Sequence, residues 1–410
     1  MDAREQRGMQ IAATTRLRRS KAGWIVPSQS TDRKAYQVTS DLPGALGLVC
    51  DCPDYELRGM PCKHIYAVEI TVRRETPEGD VLTQTVKVTY TQDWKAYNAA
   101  QTAEGDMFGP MLADLCATLP NPPQGKGRPR LPLSDMAFAC VSRVYSGLSA
   151  RRFDSEVREA KADGLTDSDP HFNSVLRYLR SPEMTTALRQ LVEVSALPLK
   201  AVETDFAMDA TGFSISRFER WYDHKWGKER TSRAWVKLHA MTGVRTNVVT
   251  AVELSDGHSH DTNYFRPALA TTVGNGFTPR DVTADKAYSS KANLQAVADA
   301  GAMPYIPFRG QLPALQGVLP TMTSTMSAFH RMQHLFVWQR DTFLNHYHQR
   351  SNVETVFSMI KRKFGDSLRS KSEIGQMNEI LCKVVAHNLC VLIATIFELG
   401  LPMPQFGTAS

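Results

Sequence analysis

The sequence lacks a long unbroken apolar run. Its most apolar stretch, residues 389–397, is too short to span a bilayer and reads as a buried helix. No apolar segment follows the basic residues near the N-terminus, Arg4, Arg7, Arg16, Arg18 and Arg19, so no secretory signal is expected there, and residues 1–20 read as a loose basic arm. Cysteine is scarce and odd in number, seven in 410 residues, which fits a disulfide framework poorly and a reduced, cytoplasmic compartment well. Charge of one sign is not abundant either. The chain has 48 Lys+Arg against 42 Asp+Glu, and a formal excess of +6 favours a polyanionic partner only weakly. No internal repeat is visible. What remains is an ordinary globular composition, 42% hydrophobic and 22% charged, in a chain long enough for two or three domains.

The order of patterns divides the chain. GWIVPSQS, AYQVTSD and LGLVCDC alternate and are rich in β-branched residues, as short strands are, and CKHIYAVEITVRRE then carries Ile65, Val68, Glu69 and Val72 at helical spacing. Together they make a unit of residues 20–75, small enough to need a staple such as a metal. Residues 76–132 connect it onward through a strand-like VLTQTVKVTY and a helix from Asp93 to about Leu119. They end in the Pro- and Gly-rich basic linker LPNPPQGKGRPRLPL. Residues 133–200 read as all-helical, with Ser134, Ser149 and Ser181 as helix starts; Ser181-Pro182-Glu183 places a cap, a first-turn proline and a first-turn acid in order. This stretch has room for a helix-turn-helix that binds DNA, or for simple helical packing. From Glu203 the text turns to strands, TDFAMDATGFSISRF, AWVKLHAMTG and RTNVVTAVELS, with a hairpin at Thr242-Gly243. Helix and strand then alternate, and long helices follow at about 347–364 and 374–399. Antiparallel strands, then β-α-β, then helix describe an α/β fold with a mixed sheet of the ribonuclease H-like kind over residues 201–400.

Two acids in that region close apolar runs. Asp209 follows Phe206-Ala207-Met208, and Asp285 stands in DVTADKAYSS before a helix. Carboxylates at strand ends on one sheet edge converge outside it, and hard oxygen ligands suit Mg²⁺ or Mn²⁺. Either aspartate alone is as well explained as a turn residue. The segment QRDTFLNHYHQRSNVETVFSMIKRKFG changes the weighing. Steps of three, four and seven residues set Tyr347, Arg350, Glu354 and Lys361 on one helical face, while Val353, Val356, Phe357, Ile360 and Phe364 supply the buried side. An exposed ion-paired face accounts for Arg350 with Glu354, but not for the tyrosine or the distant lysine.

This series of Tyr, Arg, Glu and Lys resembles the signature helix of DDE transposases from bacterial insertion sequences, and DATGF and TADKAYSS resemble the same family's first and second acidic motifs. The similarity extends over roughly residues 130–400. It implies a ribonuclease H-like domain in which Asp209, Asp285 and Glu354 hold divalent metal, with Tyr347, Arg350 and Lys361 on the DNA side. It also implies hydrolysis at transposon ends, then attack of the freed 3′-hydroxyl on target DNA. Double-stranded DNA is then the partner, and pairing two ends implies a dimer or a higher synaptic assembly. A DNA-binding protein that no longer cuts, or a nuclease that cuts without joining, would carry much of the same text.

The cysteines contribute a second site. Cys50-Asp-Cys52 and Cys62-Lys-His64 form two tight pairs beside Asp51, Asp54 and Lys63, a polar setting that suits ligands rather than core. Three thiolates and one imidazole close a tetrahedral, structural Zn²⁺ shell. The C-x-C…C-x-H spacing, after strands and into a helix, resembles a SWIM zinc finger, a family associated with binding nucleic acid or protein. Gly127-Arg128-Pro129-Arg130 resembles the core of an AT-hook, although a basic Pro-rich linker has the same letters. Trp221, Trp226, Trp235 and Trp338 are candidates for stacking on an unpaired base, with Trp235 better read as core; His258 and His260 read as a surface turn, and His387 as a satisfied core histidine.

Overall fold

The computed structural model describes residues 3–15, 17–20, 23–28, 35–40, 48–56, 58, 60–75, 93–124, 126–127, 129–215, 235–257, 259–308 and 326–407. Arg128, Trp221, Trp226, His258 and the strand-like run 81–90 lie outside them, as does the side chain of Trp338. The chain forms two compact units, Met1–Thr91 and Gln92–Ser410.

The first unit runs α1 (Ala3–Thr14), β1 (Arg18–Ser20), β2 (Gly23–Pro27), β3 (Ala35–Ser40), β4 (Leu48–Cys50), α2 (Pro53–Glu56) and α3 (Lys63–Glu75). Its strands form an antiparallel sheet in the order β1-β2-β3-β4. The stretch expected to be a loose arm is helix α1. Ile11 is buried with Leu17, Trp24, Val26, Val38, Ile65 and Val68, and Arg4 pairs with Asp54 at 3.1 Å. Gly8 lets α1 approach α3 closely, since a Cβ there would lie 2.5 Å from the Tyr66 Cβ. Reading the arginines as solvated missed that Ile11 and Leu17 have a core to enter.

The second unit begins with helices α4 (Trp94–Ala117), α5 (Leu133–Ser146), α6 (Asp154–Ala162), α7 (Phe172–Tyr178) and α8 (Pro182–Ala196). Ser181 caps α8 through the Met184 N–H, as its Ser-Pro-Glu text implies, and Asp93 caps α4. Ser134 and Ser149 are not caps: α5 begins at Leu133 behind Pro132, and 149–153 is a turn before α6.

Then come β5 (Asp205–Ser214), β6 (Trp235–Gly243), β7 (Val249–Asp256), α9 (Thr262–Gly274), β8 (Asp281–Ala284), α10 (Lys291–Asp299) and β9 (Met303–Tyr305). The sheet order is β7-β6-β5-β8-β9, antiparallel across β7-β6-β5 and parallel from β5 to β9. This is the mixed α/β sheet expected from the sequence. The β6–β7 connection is a five-residue loop closed by Gly243 N–H on the Val248 carbonyl at 2.8 Å, with Asn247 at φ 68°.

Helices α11 (Ala328–Trp338), α12 (Arg340–Tyr347), α13 (Ser351–Phe364) and α14 (Glu373–Leu399) complete the unit. α14 is the buried helix expected at 374–399. It has 27 residues and is long and apolar enough to cross a bilayer by length and composition, because the helix continues through polar residues that interrupt the apolar run. Those residues have partners inside the fold. The Asn388 side chain accepts from the Val249 N–H at 2.9 Å and donates to the Val249 carbonyl and Ser195 Oγ, and His387 Nε2 lies 2.9 Å from the Asn247 carbonyl. With most of it buried, α14 packs as a core helix.

Candidate active site and metal centre

Asp209 is the fifth residue of β5, in the middle of the strand rather than at its end. β5 continues to Ser214 because β6 pairs with it all the way, whereas its parallel neighbour β8 stops at Ala284, opposite Met208. Asp209 therefore lies where one neighbour ends, and Asp285, the residue after β8, caps a short 3₁₀ turn over Lys286–Tyr288. Alternation along β5 puts Asp209, Thr211 and Phe213 on one face.

α13 lies along that face. The single helix expected through Tyr347 and Lys361 is broken, since α12 ends at Tyr347 and a 3₁₀ turn, His348–Arg350, precedes α13. Arg350 sits at the junction and reaches two acids at once, with Nη1 donating to Asp209 at 2.8 Å and Nη2 to Glu354 at 2.9 Å. Eleven residues on, Lys361 donates to Thr211 Oγ1 and lies 5.4 Å from the Phe213 ring centre. The Tyr347 ring packs 5.9 Å from the Arg350 guanidinium. Asn352, on the same helix, donates to the Val244 carbonyl at 2.9 Å, tying α13 to the β6–β7 loop.

The electrostatics follow from this crowding. Burial pushes the Asp209 carboxyl above its ordinary range, and the charges of Asp285 and Glu354 push the same way; the Ala210 N–H and Arg350 pull it back. Burial also raises the Tyr347 phenol and lowers Lys361. Glu354 is the open member, its side chain 59% exposed against 20% for Asp209. Asp285 and Glu354 are each within electrostatic reach of Asp209, but the three carboxylates are not gathered as one ligand shell, and a guanidinium stands between Asp209 and Glu354. Three like charges with one fixed countercharge form a hard-oxygen donor set that fits a divalent cation.

In the first unit, Cys50, Cys52, Cys62 and His64 are all buried and offer ligand atoms within 4.8 Å of one another, the only such group among the described residues. The Cys50 and Cys62 sulfurs each lie 3.8 Å from His64 Nδ1, close to the roughly 3.6 Å edge that tetrahedral zinc bond lengths imply. β4 delivers Cys50, and the start of α3 delivers His64 just after Cys62. Hydrogen bonding from Cys50 pulls the Cys62 thiol well down, while the same contact pushes Cys50 up. The donor set and its spacing fit zinc.

The weaker signals resolve less sharply. Arg130 is largely exposed and pairs with Glu183 at 3.4 Å. Trp235, expected in the core, is 37% exposed at the start of β6, with its ring against Gly212. Thr211, as the partner of Lys361, was not singled out from the sequence; its place two residues after Asp209 on a strand was the available signal.

Residues 200–389 match the family model of the transposase DDE domain, and residues 36–73 match that of the SWIM zinc finger. No curated protein matches the chain. Asp209, Asp285 and Glu354 all fall within the first match, and the four Cys and His residues within the second. The chain thus carries one segment similar to transposase DDE domains and another similar to SWIM zinc fingers.

Proposed function

We propose that this protein is a DNA transposase of the Tyr-Arg-Glu-Lys subgroup that cleaves transposon ends and joins the freed 3′-hydroxyl to target DNA. The observation that carries this reading is the convergence of three separate segments on one face of β5, where Arg350 spans Asp209 and Glu354 beside Asp285. In the proposal Asp209, Asp285 and Glu354 hold Mg²⁺ or Mn²⁺. Such ions, when bound, activate the attacking oxygen and offset charge on the phosphate.

The chain's own residues supply positioning. Arg350 exchanges a carboxylate for a phosphate oxygen of the end, a swap its planar fork makes with little rearrangement. Lys361, held on Thr211, adds a second fixed cation along α13. Tyr347 packs beside Arg350 and limits its rotation. Glu354, open to solvent, lies on the side from which DNA enters. Phosphoryl transfer needs this placement and charge compensation more than a protein nucleophile.

The zinc unit, with Cys50, Cys52, Cys62 and His64 as ligands, serves folding and presents basic residues. The domain limits in the proposal are 20–75, 76–132, 133–200 and 201–400. Arg128 and Arg130 of the linker follow the minor groove, which for Arg130 requires release from Glu183. The protein works in the cytoplasm on nucleoid DNA, as a dimer or larger synaptic assembly.

Incubating the full chain with labelled end DNA and Mg²⁺, with cleavage and strand transfer scored separately, tests the reading. Both products are expected. Cleavage without joining would make it a nuclease, and binding without either would make it a silent DNA-binding protein.

A further inference from the structure

The two aspartates are not held in register by the sheet. β5 and β8 pair from Asp205 opposite Asp281 to Met208 opposite Ala284, and the pairing stops one residue before each acid. The turn that Asp285 opens is fixed at its far end by Tyr288, a fully buried residue. The Tyr288 N–H bonds back to the Asp285 carbonyl at 2.9 Å, and its own carbonyl accepts from Asn293 Nδ2 at 2.8 Å. Its hydroxyl lies 3.3 Å from Nδ1 of His239. His239 is on β6 directly opposite Ala210, the residue after Asp209.

The Ser255 hydroxyl lies 2.9 Å from His239 Nε2 and 3.0 Å from the Asp256 carbonyl. His239 Nδ1 faces both the Tyr288 hydroxyl and, at 4.0 Å, a carboxylate oxygen of Asp261. Burial keeps the imidazole neutral, drawing its pKa down to about 4, and Tyr264 stacks on it with ring centres 4.3 Å apart. Side-chain alternation puts His239 on the sheet face opposite Asp209. The 3₁₀ turn thus starts beside the acids and ends in a polar anchor behind the sheet.

We propose that Tyr288 and His239 form a strut that sets the separation of the Asp209 and Asp285 carboxylates from behind the sheet, and are positioning residues for the divalent cation those acids hold. The inference rests on the ligand assignment proposed above. Neither residue touches the metal or the DNA; they act through the turn, as hydrogen-bonded supports behind metal ligands do. The register gap between β5 and β8 is the reason such a support is needed.

The test is Mn²⁺ binding to the full-length, zinc-loaded chain by titration calorimetry, with thermal unfolding run on the same samples. Asp285→Asn should abolish the binding. Tyr288→Phe, which removes only the hydroxyl, should weaken it roughly tenfold to a hundredfold, as loss of a hydrogen-bonded support behind a metal ligand does, with little shift in melting temperature. Ser255→Ala, at the half-buried end of this series of contacts, should weaken it several-fold by removing the hydroxyl that holds the imidazole from its other side, and it decides the matter alone should Tyr288→Phe not fold. Wild-type affinity in the deciding variant, beside loss in Asp285→Asn, overturns the strut. Wild-type affinity in Asp285→Asn overturns the ligand assignment instead.

Discussion

Removing zinc from the N-terminal unit, with a strong chelator or by Cys62→Ser, should unfold that unit and leave the second one standing. The magnitude follows from how the unit is built. Its apolar cluster is small, centred on Ile11, Trp24, Val26, Val38, Ile65 and Val68, and the four ligands are buried in the same cluster. Structural zinc in small domains binds with about 10–16 kcal/mol, as much as the whole net stability of roughly 5–15 kcal/mol typical of a domain. A unit with so small a core has no reserve against that loss. Cys62 is the most damaging ligand to lose, because it is fully buried and touches both Cys50 and His64. Serine there offers no soft thiolate and leaves His64 Nδ1 without one of its two sulfur neighbours. Limited proteolysis of the full chain, read by mass spectrometry, gives the assay, with elemental analysis of the untreated protein alongside. New cuts are expected within residues 3–75 after chelation, while β5–β9 stay resistant. Less than stoichiometric zinc, or an N-terminal unit equally resistant with and without chelator, would refute the reasoning.

Arg350→Ala and Lys361→Ala should weaken binding to end DNA or slow strand transfer while leaving the fold intact, and each should lower the salt slope of binding by roughly one; unchanged slopes and rates in both would mean that these cations serve only Asp209, Glu354 and Thr211. His387 gives a pH prediction. Burial draws its pKa from the ordinary 6.5 to about 4, so the unfolded chain takes up a proton at a pH where the folded chain does not. Stability from this group is complete above about pH 6.5 and is lost as the pH falls toward 4, by up to about 3 kcal/mol. His387→Gln, which keeps a donor for the Asn247 carbonyl, should flatten that part of the dependence when urea midpoints at pH 7 and 4.5 are compared with those of the wild type.

What could be read from the sequence was local chemistry with a fixed period. Ser181-Pro182-Glu183 announces a helix start because cap, proline and acid each satisfy a different demand of the first turn, whereas Ser134 and Ser149, without that context, cap none, although α5 begins one residue before Ser134. The mixed character of the sheet around β5 was legible from alternation and the short β-α-β spacings. The position of Asp209 was not, because a strand's length depends on which neighbours continue beside it; β6 extends β5 past the acid while β8 stops. The break at His348–Arg350 was equally hidden, since the three- and four-residue steps from Tyr347 to Glu354 suit an unbroken helix just as well. Helix α1 escaped notice because its burial depends on Gly8 approaching Tyr66, a tertiary fact. The three cysteines and His64 were legible as a group because their spacing along the chain reflects the loop and helix start that bring them together.

The central claim is that Asp209, Asp285 and Glu354 act together on DNA. It is tested most directly by measuring gel-shift binding and Mg²⁺-dependent cleavage of end DNA for Asp209→Ala, Asp285→Ala and Glu354→Ala side by side. Each variant should lose cleavage almost as completely as the triple variant, since residues acting as a unit are far from additive. DNA affinity should hold or rise, because each change removes a negative charge near phosphate. Wild-type cleavage by any one of the three would contradict the account and show that the wrong acid has been assigned.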